Sequence, residues 1–314
     1  MKIGILSTSS IAPRFIAAVR EEGSFEIVAL SSRTREKAEE KAKAWEIARA
    51  YGSHEELLED TDVDIIYISA VNSAHYKWAK ASLLAGKHVI CEKPCTTTEK
   101  QTRELFDLAK EKGLFLMEAQ KMLFLPAVLE VKDAIVSGKL GAIRMAEFNH
   151  SFYGSYNNWM YDEAAGGGPL LSSAIYVVEL LQFLFDCQIA EIDGICTKHP
   201  GTNVEEQYAL SGRMENGVLF SLKNSTVALM KNGACFYGEK GYAELPDYWK
   251  ARDVIFCDHQ GTEMKKFPCE HELLYEVRHI ADCFKNGLLE SPVVTGEFSA
   301  RAIRVLEKIK TKWN

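Results

Sequence analysis

Residues 1–120 alternate short apolar runs with amphipathic stretches, and that order limits the fold more than any other feature of the chain. The pattern predicts strands over 2–6, 25–30, 64–69, 87–91 and 114–117. Between them it predicts helices over 11–22, 35–45, 73–85 and 98–112. The punctuation agrees: Pro13 suits a first helical turn, Thr34 an N-cap, and Gly86 and Gly113 the position just past a helix end. Strand and helix in strict alternation imply a parallel sheet wound on both faces by helices, an α/β doubly wound architecture.

Beyond residue 120 the pattern changes. A helix over 126–137 is followed by longer alternating segments over 143–152, 189–197, 206–214, 218–224 and 228–237. Turn signals include Glu215-Asn216-Gly217 and Asp258-His259-Gln260-Gly261. One helix over 170–185 interrupts them, and helices over 271–286 and 296–310 close the chain. This reads as an α+β domain with an open, mixed, mainly antiparallel sheet. The change of pattern alone sets the expected division at 1–120 and 121–314, with the C-terminal helices candidates to pack back on the first domain.

Composition removes several function classes. At 314 residues, 47% hydrophobic and 26% charged, the chain can bury two cores. The net charge is −7 and no basic block occurs, which disfavours a nucleic-acid partner. No apolar run reaches the ~20 residues of a membrane span. Met1-Lys2 leads directly into Ile3-Gly4-Ile5-Leu6, so no secretory leader is expected and the protein is read as cytoplasmic. Eight cysteines without a CxxC read as buried thiols in a reducing compartment rather than as metal ligands.

Three segments can carry chemistry. The loop after the first strand, Ser7-Thr8-Ser9-Ser10-Ile11-Ala12, lies where a dinucleotide pyrophosphate meets a helix N-terminus. Ala12 fits the third position of a GxGxxG/A fingerprint, but Ser7 and Ser9 replace both glycines. Each serine adds a Cβ, costing roughly 1–2 kcal/mol in a left-handed conformation, and a hydroxyl that can donate to phosphate. About 20 residues on, NAD-selective folds often carry an acidic residue for the ribose 2′-OH. This chain has Ser32 and Arg33 instead, which suit a 2′-phosphate; Arg33 could equally be a surface residue heading a helix. Glu92-Lys93-Pro94 follows an apolar strand, which places Lys93 at a strand's carboxyl end, where doubly wound sheets bind ligands. Glu92 could orient Lys93 or the nicotinamide ribose, or simply pair with the lysine.

These residues resemble the Gfo/Idh/MocA family of oxidoreductases, and the resemblance spans nearly the whole chain. Ala85-Gly86-Lys87-His88-Val89-Ile90-Cys91-Glu92-Lys93-Pro94 is its most specific signature. Val71-Asn72-Ser73-Ala74-His75 is similar to the family's T-P-N-x-x-H loop, and Leu116-Met117-Glu118-Ala119 to its inter-domain strand. Gly166-Gly167-Gly168-Pro169-Leu170-Leu171 resembles GGGxLxD, and Glu290-Ser291-Pro292 with Thr295 resembles ESPxxT. The resemblance implies NADP or NAD in a cleft between two domains and hydride transfer to or from a small sugar, polyol, diol or carbonyl compound. NADP is favoured on Ser32 and Arg33. It adds Val71, Asn72, His75, Glu92 and Glu118 to the expected cofactor residues Ser7, Thr8, Ser9, Ser10, Ile11, Ser32, Arg33 and Lys93. Lys93 becomes the expected general acid/base. Tyr176, where many members carry His, points to the dihydrodiol dehydrogenase-like branch and is the second catalytic candidate, with an ordinary half-buried aromatic as the alternative. Lys93, Trp159, Ser172 and Tyr176 are the expected substrate residues, no metal is expected, and a homodimer or homotetramer would form through the C-terminal sheet.

Departures cluster at the same site. Ser172 replaces an acidic residue, Leu123 stands where the branch often has Arg, Val71 replaces Pro, and Ser7 and Ser9 replace glycine. Lys121, Asn157, Asn158, Trp159 and Tyr161 are candidates for compensating contacts. The competing expectation is a catalytically reduced member that binds a nucleotide or sugar as a sensor or partner subunit.

Overall fold

The structure, a computed structural model, describes residues 1–152 and 158–313. The chain divides into two compact units: Met1–Gln120 with His271–Ala300, and Lys121–Glu270 with the chain from Arg301 on.

The described residues of the first unit build a six-stranded, wholly parallel sheet. Its strands are β1 (Lys2–Leu6), β2 (Glu26–Ser31), β3 (Arg49–Tyr51), β4 (Ile65–Ile68), β5 (His88–Glu92) and β6 (Leu116–Ala119), in the order β3-β2-β1-β4-β5-β6. The chain leaves β1 for β2 on one side and returns to β4 on the other, so β1 and β4 flank the switch point where such sheets open a ligand crevice. Helices α1 (Ala12–Glu22), α2 (Arg35–Ala44), α3 (His54–Glu59), α4 (His75–Leu84) and α5 (Glu99–Lys112) connect the strands. Every residue of β4 is buried, as expected of a strand covered on both faces. Ile66, Ile68, Val89 and Leu116 pack against Trp78, Leu83 and Leu105 from the helices. The caps behave as their side chains dictate. Thr34 and Thr98 accept the N–H groups of Lys37 and Gln101, and Gly113 closes α5 at φ 66.

The second unit holds α6 (Pro126–Val136), β7 (Ile143–Ser151), α7 (Ile175–Phe185), β8 (Ile189–Lys198), β9 (Glu205–Met214), β10 (Leu219–Ser225), β11 (Gly233–Gly238), β12 (Gly241–Pro246), β13 (Asp253–Asp258) and β14 (Gly261–Lys266). Its eight described strands run in the order β14-β13-β12-β11-β7-β10-β9-β8. All pairs are antiparallel except β7 with β10, so the sheet is mixed. One face buries Phe148, Phe220, Leu222 and Phe236, while Met145, Leu219 and Ile195 stand exposed. Helix α7 is apolar on nearly every side and correspondingly buried. Helix α8 (Leu274–Lys285) belongs to the first unit, where its Phe284 ring meets Phe25, His88 and Phe115. Helix α9 (Gly296–Trp313) ends the described chain.

Strands β3, β12, β13 and β14 and helix α3 were not among the expected elements, and three further segments depart from the expectation. The segment expected to be helical over 170–185 opens as a π turn, Leu170–Ala174, before α7 begins. Asn72–Ala74 is a 3-10 turn ahead of α4. The strand expected over 228–237 begins only at Gly233.

Candidate functional site

In the first unit the expected cofactor residues come from the carboxyl ends of β1, β2, β4, β5 and β6, which share one edge of the parallel sheet. At β1, Ser7 adopts φ 88, a left-handed conformation that its Cβ resists and that glycine would enter freely. It is held there by its own N–H donating to Ser31 O at 3.2 Å. Ala12 is fully buried, the close helix–strand contact that a small residue permits. Ile11 forms the N-cap of α1 without a capping side chain, which leaves the helix N-terminus available to an anion. Ser9 Oγ is buried and has no hydrogen-bond partner among the described residues. A buried hydroxyl in that state is costly unless a ligand or water completes it. A left-handed turn, a helix N-terminus and an unsatisfied hydroxyl together fit a dinucleotide pyrophosphate.

At the end of β2, Ser31 Oγ bonds His54 Nδ1 at 2.8 Å. Ser32 is buried, while Arg33 is exposed and makes no hydrogen bond or ion pair among the described residues. Its guanidinium is therefore available to a ligand.

The Lys93 turn is the most constrained part of the site. Pro94 O faces His75 Nδ1 at 2.8 Å, and His75 Nε2 faces Ala70 O at 2.9 Å. Glu118 Oε1 accepts the Cys95 N–H at 2.8 Å. The two residues that follow Lys93 are thus tied to α4 and β6. Both His75 and Glu118 were expected to meet the cofactor. His75 is only 1% exposed, with both ring nitrogens turned to backbone carbonyls, so its direct work is to hold this turn. Burial holds its pKa below the ordinary value, with the facing carbonyls opposing the shift. Asn72 is buried and Val71 half-buried at the foot of the same loop. Glu92 Oε1 accepts the Tyr67 hydroxyl at 2.6 Å, and the Tyr67 ring stacks on Phe15 of α1 at 3.7 Å. Sequence reasoning missed Tyr67, since one tyrosine within an apolar strand gives no signal of a polar partner.

In the second unit, the three glycines explain where the substrate candidates sit. Gly166 has φ 72 and Gly168 φ 105, both left-handed. A Cβ on Gly167 would meet the backbone oxygens of Trp159 and Met160, and one on Gly168 would meet the Glu205 carboxylate. The glycines therefore let the 3-10 turn Asn158–Tyr161 lie directly against the head of the π turn. Glu205 Oε1 accepts the Leu170 N–H at 2.7 Å, a carboxylate at a helix start. Burial nevertheless pushes the Glu205 pKa up, against that bond. Glu205 was not foreseen, because the expected strand began one residue later. Ser172 Oγ donates to Gly168 O at 2.9 Å, and Tyr176 is 8% exposed. Lys121 and Leu123 are buried in the 3-10 turn Lys121–Phe124. The Tyr161 ring stacks on His199 at 3.8 Å. Asn157 lies outside the described residues, as does the Asn158 side chain. Among the described residues no group of three His, Cys, Asp or Glu side chains could hold a metal ion, and no helix is long and apolar enough to cross a membrane.

Comparison with known proteins gives a consistent result. Residues 1–120 match the model of an oxidoreductase family with an NAD-binding Rossmann fold, and residues 128–244 match the GFO/IDH/MocA C-terminal domain. Trans-1,2-dihydrobenzene-1,2-diol dehydrogenase of Mus musculus is 31% identical over 326 residues, covering 99% of this chain and 96% of that protein. Its Homo sapiens counterpart is 28% identical over 320 residues, with the same coverage. Among solved structures, KijD10, a 3-ketoreductase from Actinomadura kijaniata in complex with NADP and TDP-benzene, has a TM-score of 0.89. It is 24% identical and covers 99% of this chain and 97% of its own. Aldose-aldose oxidoreductase from Caulobacter crescentus, complexed with glycerol, has a TM-score of 0.88 at 22% identity, covering 98% and 96%. At these identities the two structures speak for the fold.

Proposed function

The chain belongs to the Gfo/Idh/MocA family of NAD(P)-dependent oxidoreductases, and from that premise we propose an NADP-preferring enzyme acting on a small diol, sugar, polyol or carbonyl compound. The observation that carries the reading is the Lys93 turn at the carboxyl end of β5, where His75 and Glu118 bond the next two residues, Pro94 and Cys95. A group that transfers a proton must be held in place, and this lysine stands on a braced backbone.

The roles divide as follows. The Ser7–Ile11 loop and the N-terminus of α1 hold the pyrophosphate, with Ser9 Oγ donating to it. Ser32 and Arg33 take the 2′-phosphate, which is why NADP is preferred. Val71 and Asn72 flank the nicotinamide end. When bound, the nicotinamide supplies or accepts a hydride at C4. Lys93 gives a proton to the substrate oxygen on reduction and removes it on oxidation. The second unit contributes Tyr176, Ser172 and Trp159 to substrate binding. Tyr176 is a second proton donor, and its substitution separates that role from simple packing. The dehydrogenase relatives supply the first substrate to try, a trans-dihydrodiol.

The exposed Met145, Leu219 and Ile195 on the open sheet favour a homodimer or homotetramer formed through that face. Eight free cysteines suit a reducing, cytoplasmic location. The deciding experiment titrates the protein with NADPH and NADH by nicotinamide fluorescence, then screens trans-1,2-dihydrobenzene-1,2-diol, aldoses, polyols and aldehydes for turnover. Tighter NADPH binding with turnover of one class supports the proposal. Failure to bind any dinucleotide would favour the sensor or partner-subunit alternative.

A further inference from the structure

The Tyr67 phenol is fully buried, yet it does more than fill space. Its hydroxyl donates to Glu92 Oε1 at 2.6 Å, and its ring lies parallel to Phe15 at an interplanar angle of 1°. Phe15 belongs to the helix that starts at the cofactor loop, and Glu92 is the last residue of β5, next to Lys93. One column of side chains therefore joins α1, β4 and β5 beneath the site.

We propose that Tyr67 is a positioning residue for Lys93, acting by fixing the Glu92 carboxylate in one orientation at the end of β5. The inference rests on the reading of Lys93 as the proton-transfer group.

Burial and then the Glu92 charge hold the phenol well above its ordinary pKa, so Tyr67 stays protonated at neutral pH. Besides Glu92, the charged or titratable groups acting on Tyr67 are Glu276 from α8 and Cys91 from β5. All but the Tyr67 hydroxyl remain in a Tyr67→Phe protein, which also keeps the ring against Phe15. The substitution removes one hydrogen bond and little else.

The test combines crystallography with kinetics on Tyr67→Phe, Glu92→Gln and the double variant. In the Tyr67→Phe crystal structure the ring at position 67 should keep its place while the Glu92 carboxylate leaves the position it now holds. With NADP and trans-1,2-dihydrobenzene-1,2-diol, kcat should fall about 10-fold or more, since a misplacement of about 1 Å can cost 100-fold. In Tyr67→Phe, NADPH affinity should change far less than kcat. The double variant should be no slower than Glu92→Gln alone, as expected when one residue acts through the other. An unmoved Glu92, a wild-type kcat, additive losses, or a loss seen only in thermal stability would each overturn the role. If wild-type protein turns over no substrate, or Lys93→Met turns over normally, the functional reading fails. The crystal structure would still decide whether Tyr67 holds Glu92.

Discussion

Glu205 Oε1 accepts the Leu170 N–H at 2.7 Å, in the space that a side chain at residue 168 would need. Gly168 is thus required twice, by its φ of 105 and by the carboxylate beside it. Gly168→Ala should cost at least about 1–2 kcal/mol from the backbone alone. Thermal unfolding reads this as a drop of about 2–4 °C per kcal/mol in a unit of this size. An unchanged midpoint would mean that the segment relaxes freely.

Glu205 also makes a pH prediction. Burial raises its folded-state pKa above the ordinary carboxylate value. A raised carboxylate favours the protonated form in the folded state, so its contribution is fully present at low pH. That contribution is lost as pH rises from the unfolded value through the folded one. Glu205→Gln keeps an acceptor for Leu170 N–H and removes the titration. Wild type should therefore lose stability relative to the variant as pH climbs from about 4 to neutrality. Denaturant midpoints of the two proteins across that range check the sign. A difference that stays constant with pH would contradict it.

Much of this arrangement was legible in the sequence, for identifiable reasons. Thr34, Gly86 and Gly113 mark helix ends by local chemistry, and β1, β4 and β5 are apolar because both their faces are covered. Lys93 could be placed because strand polarity alone sets it at the ligand edge. The short edge strand β3 and helix α3 were missed, being too brief to establish a period. The parallel pairing of β7 and β10 depends on a partner about 75 residues away, which no local pattern encodes. The π turn at Leu170–Ala174 follows from the Gly166–Gly168 turn and Glu205, a tertiary contact. For the same reason Tyr67 and Glu205 look like ordinary strand residues until their partners are seen.

The structure separates the two serines that replace fingerprint glycines. Ser7 carries the left-handed backbone, so Ser7→Gly should stabilise the ligand-free protein by about 1 kcal/mol. Ser9 carries the buried unsatisfied hydroxyl, so Ser9→Ala should leave ligand-free stability unchanged or slightly higher. It should also weaken NADPH binding by about 10-fold or more, the worth of a hydrogen bond to a charged acceptor. Unfolding midpoints and NADPH titrations on the two variants distinguish these effects. Equal NADPH affinity in Ser9→Ala and wild type would remove the hydroxyl from the cofactor site.

Arg33 is exposed and makes no hydrogen bond or ion pair among the described residues, so its loss should not disturb the fold. Arg33→Ala should weaken NADPH binding by about 10-fold or more and spare NADH, because only NADPH carries the 2′-phosphate. Equal losses for both cofactors would instead place the guanidinium on the shared adenine.

The most direct measurement is the turnover of Lys93→Met with NADP and the best substrate from the screen, beside its NADPH affinity. The substitution keeps much of the aliphatic length and removes the charge and all three donors. His75 and Glu118 bond the backbone of Pro94 and Cys95, just after the lysine, so the turn should survive. Turnover should fall by at least about 100-fold, the typical contribution of a positioned proton-transfer group, with NADPH affinity changed far less. A Lys93→Met protein that turns over at the wild-type rate would contradict the account.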